Sequence, residues 1–382
     1  MTERRTRIAI FSVSAGAGHV RAAQAIEAAA GAWFPEVEAT HVDVLTLVSR
    51  AFRKTYADGY LQVVARGPAV WGYLYTRTDR AATESRLNRV RQAIERLSTR
   101  RFEARLRELD PDIVICTHFL PAQLLSRMLR KGTFDRPVWV QVTDFDFHAS
   151  WIHERMTGYL AADEGIGRRM VERGIPPEAI RVTGIPVMPV FGSAPRREAC
   201  AAELGLDPSR PTVLLLAGSA GVTSIGALVD RLLPLDERLQ IIALAGRSES
   251  MLADLRRRAA AAPGRLVPLG FTSTIERVMA CADVAVTKPG GLTTSECLAL
   301  GLPMIVVSPI PGQEERNAAF LLANGAGLQA DSAEELAGHV SGLLAEPARL
   351  ASLAANARRL GRPDAGRRVV EAVLGREQDQ GR

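Results

Sequence analysis

Cysteine is scarce in this 382-residue chain: there are four, Cys116, Cys200, Cys281 and Cys297. None stands in C-x-x-C spacing or clusters with histidine, which argues against a disulfide framework or a structural zinc and suits a reducing compartment. Long apolar runs are also missing. The N-terminal MTERRTRIAIFSVSAGAGH holds only a strand-length apolar stretch before its glycines, too short for a spanning helix, and no other segment qualifies as transmembrane. Two nucleotide fingerprints are incomplete. The G-x-G-x-x-R after the first expected strand lacks the third glycine of a dinucleotide turn, although Asp43 would suit a ribose, and it lacks the GK[ST] ending of a phosphate loop. Zinc-finger spacing and an RNP-like aromatic pattern are absent as well, which weighs against nucleic acid.

What is present suffices for two cores. The length exceeds what one core usually organises, and 47% of the residues are hydrophobic. The proline-punctuated stretch RVTGIPVMPVF, Arg181 to Phe191, places a domain boundary near residue 190. Three parts are expected: 1–190, 191–370 and a polar tail, 371–382. Charge is uneven between the halves. The first 200 residues carry 29 Lys and Arg against 22 Asp and Glu, and the rest are nearly balanced at 19 against 20. The basic half should face whatever anionic surface the protein meets.

The most informative stretch runs from Asp283 to Asn317, DVAVTKPGGLTTSECLALGLPMIVVSPIPGQEERN. Asp283 to Thr287 reads as a buried parallel strand stopped by Pro289-Gly290-Gly291. A helix should follow at once, with Thr293 as N-cap and Glu296 as the reciprocal partner of a capping box over Thr294 to Leu300, closed by Gly301. Gly290 and Gly291 then lie just ahead of a helix start, where backbone N–H groups and the dipole favour an anion such as a diphosphate. Leu302 to Ser308 reads as a second strand. Pro311-Gly312-Gln313-Glu314 opens another helix, with Asn317 one turn on. Taken singly, Glu296 is a helix cap and Gln313, Glu314 and Asn317 are solvated polar residues; taken together, two such strand ends converge on one crevice of a parallel sheet.

The pattern TKPGGLTTSE followed by PGQEERNAAF resembles the donor-sugar signature of the GT-B glycosyltransferases, a group that includes the diacylglycerol glycosyltransferases and the peptidoglycan N-acetylglucosaminyltransferase. By that resemblance, Glu296 holds the ribose of a UDP-sugar, and Gln313, Glu314 and Asn317 touch the sugar hydroxyls. Gly290, Gly291 and Thr293 complete the donor loop.

The first domain opens with a strand from Arg7 to Val13, a turn Ser14-Ala15-Gly16-Ala17-Gly18-His19 and an Ala-rich helix from Val20 to Ala32. The turn resembles the glycine-rich, histidine-ended loop that faces the acceptor in that family, and this implies His19 as the base, with Gly18 beside it. From Val44 to Ala81 the aromatic residues Phe52, Tyr56, Tyr60, Trp71, Tyr73 and Tyr75 interleave with Arg50, Arg53, Lys54, Arg66, Arg77 and Arg80, in a protein that is only 5% aromatic. Such a segment suits an anionic membrane surface, and equally a helical hairpin with rings inside and arginines outside. The sequence YLQVVARGPAVWGYLYTRTD resembles the membrane-docking insertion of lipid glycosyltransferases. His118 is expected at the tip of the strand Asp112 to Cys116. Along the expected strand Val138 to Phe147, Asp144, Asp146 and His148 alternate onto one face. That cluster has the residue types of a metal site, yet the resemblance implies a metal-free enzyme, with Asp144 as rival base. VTDFDFHASWIHERMTGYLAADE resembles the acceptor-side segment of the diacylglycerol glycosyltransferases.

In the second domain a strand from Thr212 to Ala217 should end in Gly218-Ser219-Ala220-Gly221, a second phosphate-holding turn. After the strand Leu266 to Phe271, the resemblance implies that backbone near Phe271 reads the uracil.

The fold expected is α/β: GT-B, two doubly wound Rossmann-like domains facing across a cleft. The resemblance, to the monogalactosyldiacylglycerol synthase and processive diacylglycerol glucosyltransferase type, covers residues 7 to 370. It implies an inverting transfer of hexose from UDP-glucose or UDP-galactose to diacylglycerol or a related lipid, without a cofactor, by a cytoplasmic protein held peripherally on the inner face of the cell membrane. A UDP-sugar 2-epimerase shares the fold but leaves 44–81 unexplained. A non-catalytic sensor of nucleotide sugars would need Glu296 and not His19.

Overall fold

A computed structural model describes residues 4–14, 16–48, 100–193, 195–216 and 225–376. Most of the aromatic and basic segment and the Gly218-Ser219 turn lie outside them. The chain forms two compact units, Met1–Pro189 with Arg362–Arg382, and Val190–Gly361.

The first unit is built on six parallel strands: β1 Thr6–Ser12, β2 Val37–Asp43, β3 Ile113–Cys116, β4 Val138–Gln141, β5 Gly158–Ala161 and β6 Ile180–Val182. Their order across the sheet is β2-β1-β3-β4-β5-β6. The central strands are continuous apolar runs, as in the fully buried IVIC of β3, because helices cover parallel sheets on both faces. The order reverses between β1 and β3, and at such a point the loops leaving two neighbouring strands part in opposite directions and open a crevice.

The second unit repeats the plan with β7 Thr212–Leu216, β8 Gln240–Leu244, β9 Leu266–Leu269, β10 Val284–Thr287, β11 Met304–Val307 and β12 Gly327–Ala330. Its order, β12-β11-β10-β7-β8-β9, is that of a dinucleotide-binding sheet, and it reverses between β7 and β10. At the N-terminal end of β10, Asp283 clamps the sheet. Its carboxylate accepts from Arg197 at 2.7 and 3.0 Å and from the Thr212 N–H at 2.7 Å.

The sequence reading carries the second domain to residue 370, whereas the chain from Arg362 onward packs with the first unit. Helix Ala365–Val373 places Val369, Val370, Ala372 and Val373 in the same core as Ile8, Ile10, Ile26 and Ile115. Gly366 permits the approach: a β-carbon there would stand 3.0 Å from the Ala29 methyl and 3.3 Å from the Ala25 carbonyl of helix Ala17–Trp33. The expected strand from Val138 to Phe147 is also shorter than its apolar pattern suggests. It ends at Gln141, whose buried amide donates to the carbonyls of Val142, at 2.8 Å, and Gly184, at 3.2 Å, while the Val142 N–H still bonds to the Leu160 carbonyl of β5 at 3.1 Å.

Candidate functional site

Two helices that follow sheet strands, those starting at Ala17 and Gly291, have a glycine at the N-cap and no capping side chain, while at the helix starting at Gln313 the N-cap Gly312 N–H is taken by the Glu315 carboxylate at 2.8 Å. By contrast, His118, Asp163, Ser248 and Ser332 cap their helices through the side chain. A side-chain cap satisfies the exposed N–H groups of a first turn, whereas a glycine cap leaves them available to an anion.

In the first unit, Gly16 adopts φ 134°, a conformation that side chains disfavour, and it turns the chain from β1 directly into helix Ala17–Trp33. The helix therefore begins three residues earlier than the sequence reading has it. Gly18 and His19 belong to its first turn and not to a preceding loop. The His19 ring is held from one side. Its Nδ1 lies 2.9 Å from the Thr117 main-chain carbonyl and 2.9 Å from the Thr143 hydroxyl. A carbonyl can only accept, so Nδ1 carries the hydrogen and Nε2 is left with the lone pair. The Thr117 hydroxyl in turn donates to the His19 carbonyl at 2.9 Å. His118 stacks edge-on against the ring with centroids 4.6 Å apart, and Trp151 follows at 6.2 Å. Burial pulls the His19 imidazole below its ordinary value of 6.5, while the nearby Asp144 charge and the Thr117 carbonyl act in the opposite direction. Burial and the His19 charge push His118 much lower still.

Asp144 itself is 5% exposed. Its neighbours along the chain are committed elsewhere. Asp146 meets Arg169 at 3.1 Å, and His148 Nδ1 accepts the Ser150 N–H at 3.0 Å. The alternation expected of Asp144, Asp146 and His148 on one strand face is not realised, since all three lie beyond the end of β4. Asp43 is spent on its own turn, accepting from Leu45 at 3.0 Å and from Ser14 at 3.1 Å.

In the second unit, β10 ends in Lys288-Pro289, and helix Gly291–Leu300 begins at once with Gly290 as N-cap. Thr293 is consequently the third helical residue. The expected Thr293–Glu296 capping box does not form, because the glycine pair lets the backbone enter the helix before a side chain is needed. Thr293 and Glu296, three apart, share a helix face instead, and Glu296 is 7% exposed.

The expected sugar ligands divide. Asn317, fully buried, donates to the Pro289 carbonyl at 2.9 Å and thereby ties helix Gln313–Ala323 to the Pro-Gly-Gly turn. Glu314 accepts the Ile310 N–H at 2.7 Å, folding its own loop. Gln313 is partly exposed at the first position of that helix. Phe271, beyond β9, is 66% exposed with the Arg247 guanidinium 4.8 Å above its ring, and it borders a cavity of about 470 Å³ with Leu269, Gly270 and Thr272. Sequence reasoning missed Thr117 and Thr143, whose contacts with His19 span 98 and 124 residues.

Two parallel α/β units of this topology, with glycine-capped helix starts at their strand ends, define a protein of GT-B fold. Among solved structures, MurG of Acinetobacter baumannii superposes with a TM-score of 0.61 at 16% identity, covering 97% of this chain and 99% of that one. The UDP-GlcNAc 2-epimerase of Neisseria meningitidis, bound to UDP-GlcNAc, gives 0.62 at 12%, covering 97% and 100%. Residues 19–187 match the monogalactosyldiacylglycerol (MGDG) synthase family and residues 212–369 the glycosyltransferase family 28 C-terminal domain. The chain belongs to this family of glycosyltransferases, with an MGDG-synthase N-terminal region joined to a family 28 C-terminal domain. It is 26% identical to the processive diacylglycerol beta-glucosyltransferase of Bacillus subtilis over 96% of this chain and 94% of that protein. To the enzyme of the same name from Staphylococcus epidermidis it is 32% identical over 61% and 59%.

Proposed function

We propose that this chain transfers a hexose from a UDP-sugar to the hydroxyl of diacylglycerol or a closely related lipid, inverting the anomeric carbon. The observation that carries the reading is the His19 ring, fixed by Thr117 in the tautomer that leaves Nε2 basic and shifted by burial toward its neutral form. In one displacement, the acceptor oxygen bonds to the anomeric carbon and its proton passes to His19 Nε2. The bond from that carbon to the β-phosphate oxygen breaks, and its electron pair leaves with UDP. Asp144 stabilises the imidazolium that results. The second unit holds the donor: first-turn N–H groups of helix Gly291–Leu300 for the diphosphate, Glu296 for the ribose, Gln313 for the hexose and the strand end before Phe271 for the uracil. Asn317 and Glu314 support these by fixing the loops that carry them.

Among the described residues no helix is long and apolar enough to cross a membrane. A lipid acceptor then requires peripheral association, for which the rings and cations of residues 44–81 are suited. An epimerase shares the fold, but it would not account for a match of residues 19–187 to the MGDG synthase family. Incubation with labelled UDP-glucose or UDP-galactose and diacylglycerol vesicles, followed by lipid extraction, tests the reading. Label should enter the lipid phase from one of the two donors. Label that stays with the nucleotide from both would refute it.

A further inference from the structure

Lysine is almost absent from this protein: of 48 basic residues, Lys54, Lys131 and Lys288 are the only lysines. One of the three stands at the C-terminal tip of β10, immediately before the Pro-Gly-Gly turn. We propose that the Lys288 ammonium contacts the β-phosphate of the UDP-sugar and takes up the charge that develops on it as the sugar leaves. This rests on the reading of the second unit as the donor-binding unit.

Four observations carry it. The sheet order reverses between β7 and β10, so the loop after β10 borders the crevice where such sheets take ligands. The Gly290 N–H bonds back to the Lys288 carbonyl at 3.0 Å, which folds the chain so tightly that Lys288 sits within one turn of the uncapped start of helix Gly291–Leu300. Lys288 is only partly buried and has no carboxylate partner among the described residues, whereas Arg197 is locked onto Asp283 at the opposite end of β10 and Arg247 lies over Phe271. Finally, the chemistry suits lysine. A compact ammonium on a flexible stem can follow a single phosphate oxygen from bound ester to departing anion, where a planar guanidinium demands a fixed two-oxygen geometry.

The test compares wild type, Lys288→Met and Lys288→Arg by titration calorimetry with UDP and with UMP, which lacks the β-phosphate, and by turnover of UDP-hexose. Lys288→Met should lose about 10- to 100-fold in UDP affinity, the range of one charge-assisted hydrogen bond, while UMP binds nearly as before. Its turnover should fall by more than its affinity for the intact donor. Lys288→Arg should recover part of both losses. Should the apolar stem disturb the turn, Lys288→Gln offers the same comparison at similar length. A Lys288→Met or Lys288→Gln protein that keeps the wild-type preference for UDP over UMP overturns the proposal while leaving the donor unit in place. Wild type that binds neither nucleotide overturns the proposal together with the reading beneath it.

Discussion

The Nδ1 of His19 donates to the main-chain carbonyl of Thr117 across 2.9 Å, and that bond decides which nitrogen of the ring can accept a proton. In many hydrolytic sites a carboxylate performs this orienting task. Here a carbonyl at the end of β3 does so, and a carbonyl cannot be protonated or mutated away. The orientation is built into the sheet, and Asp144 is left to adjust basicity alone.

His19→Ala should lower turnover by about 10²- to 10⁴-fold, the usual worth of a general base, with little change in UDP affinity. His19→Gln can keep the hydrogen bond to Thr117 but cannot accept a proton, and it should be similarly impaired. Steady-state kinetics showing the glutamine variant near wild type would reduce His19 to a strut.

Asp144 raises the proton affinity of His19, against the larger effect of burial. The acid limb of the rate profile should therefore lie below the ordinary imidazole value of 6.5, and Asp144→Asn should move it to still lower pH while the plateau falls. Turnover lost entirely in Asp144→Asn, with no acid limb left to follow, would make Asp144 the base. The same depressed imidazole means that the unfolded chain binds more protons just below that value, so His19 lowers stability as the pH falls.

Glu296→Ala should weaken UDP binding by about 1.5–3 kcal/mol through the lost charge-assisted contact with ribose hydroxyls. Because the predicted capping box is not formed, no capping-sized loss of stability accompanies it. Calorimetry that finds unchanged UDP affinity would exclude the ribose role.

Asn317→Ala would leave the buried Pro289 carbonyl unpaired, at a cost of about 1–3 kcal/mol in stability. Donor affinity should fall as the turn loosens. Asn317→Ala with full stability but weaker sugar discrimination would show instead that Asn317 meets the hexose directly.

Neutralising Arg50, Arg53 and Lys54 together should reduce binding to anionic vesicles by about 1 kcal/mol per residue, and added salt should mimic the loss. Vesicle cosedimentation indifferent to both would return this segment to the helical-hairpin reading.

The strands were legible in the sequence because a strand buried on both faces is spelled as an unbroken apolar run, as in Val284–Thr287 and Met304–Val307. Helix starts were not. Threonine and glutamate three apart suggested a cap at Thr293, but a glycine without a side chain can take the N-cap place and leaves no chemical signature of having done so. The strut from Asn317 to Pro289 and the seat of His19 against Thr117 and Thr143 were invisible for another reason: they join residues that only the sheet order brings together. The residue types of the site could be read, then, while its division into ligand contacts and supports required the fold.

Helix Ala365–Val373 has a consequence for how the protein is made. Its valines complete a core whose other half, Ile8 and Ile10, is synthesised before the second unit is begun. The unit begun first is thus finished last, after the whole of Val190–Gly361 has been synthesised and can fold on its own. Until then the Ala-rich helix Ala17–Trp33 waits with one face uncovered. A message truncated between Gly361 and Ala365 would release an intact second unit tethered to a first one that still exposes its hydrophobic side, a substrate for chaperones or proteases.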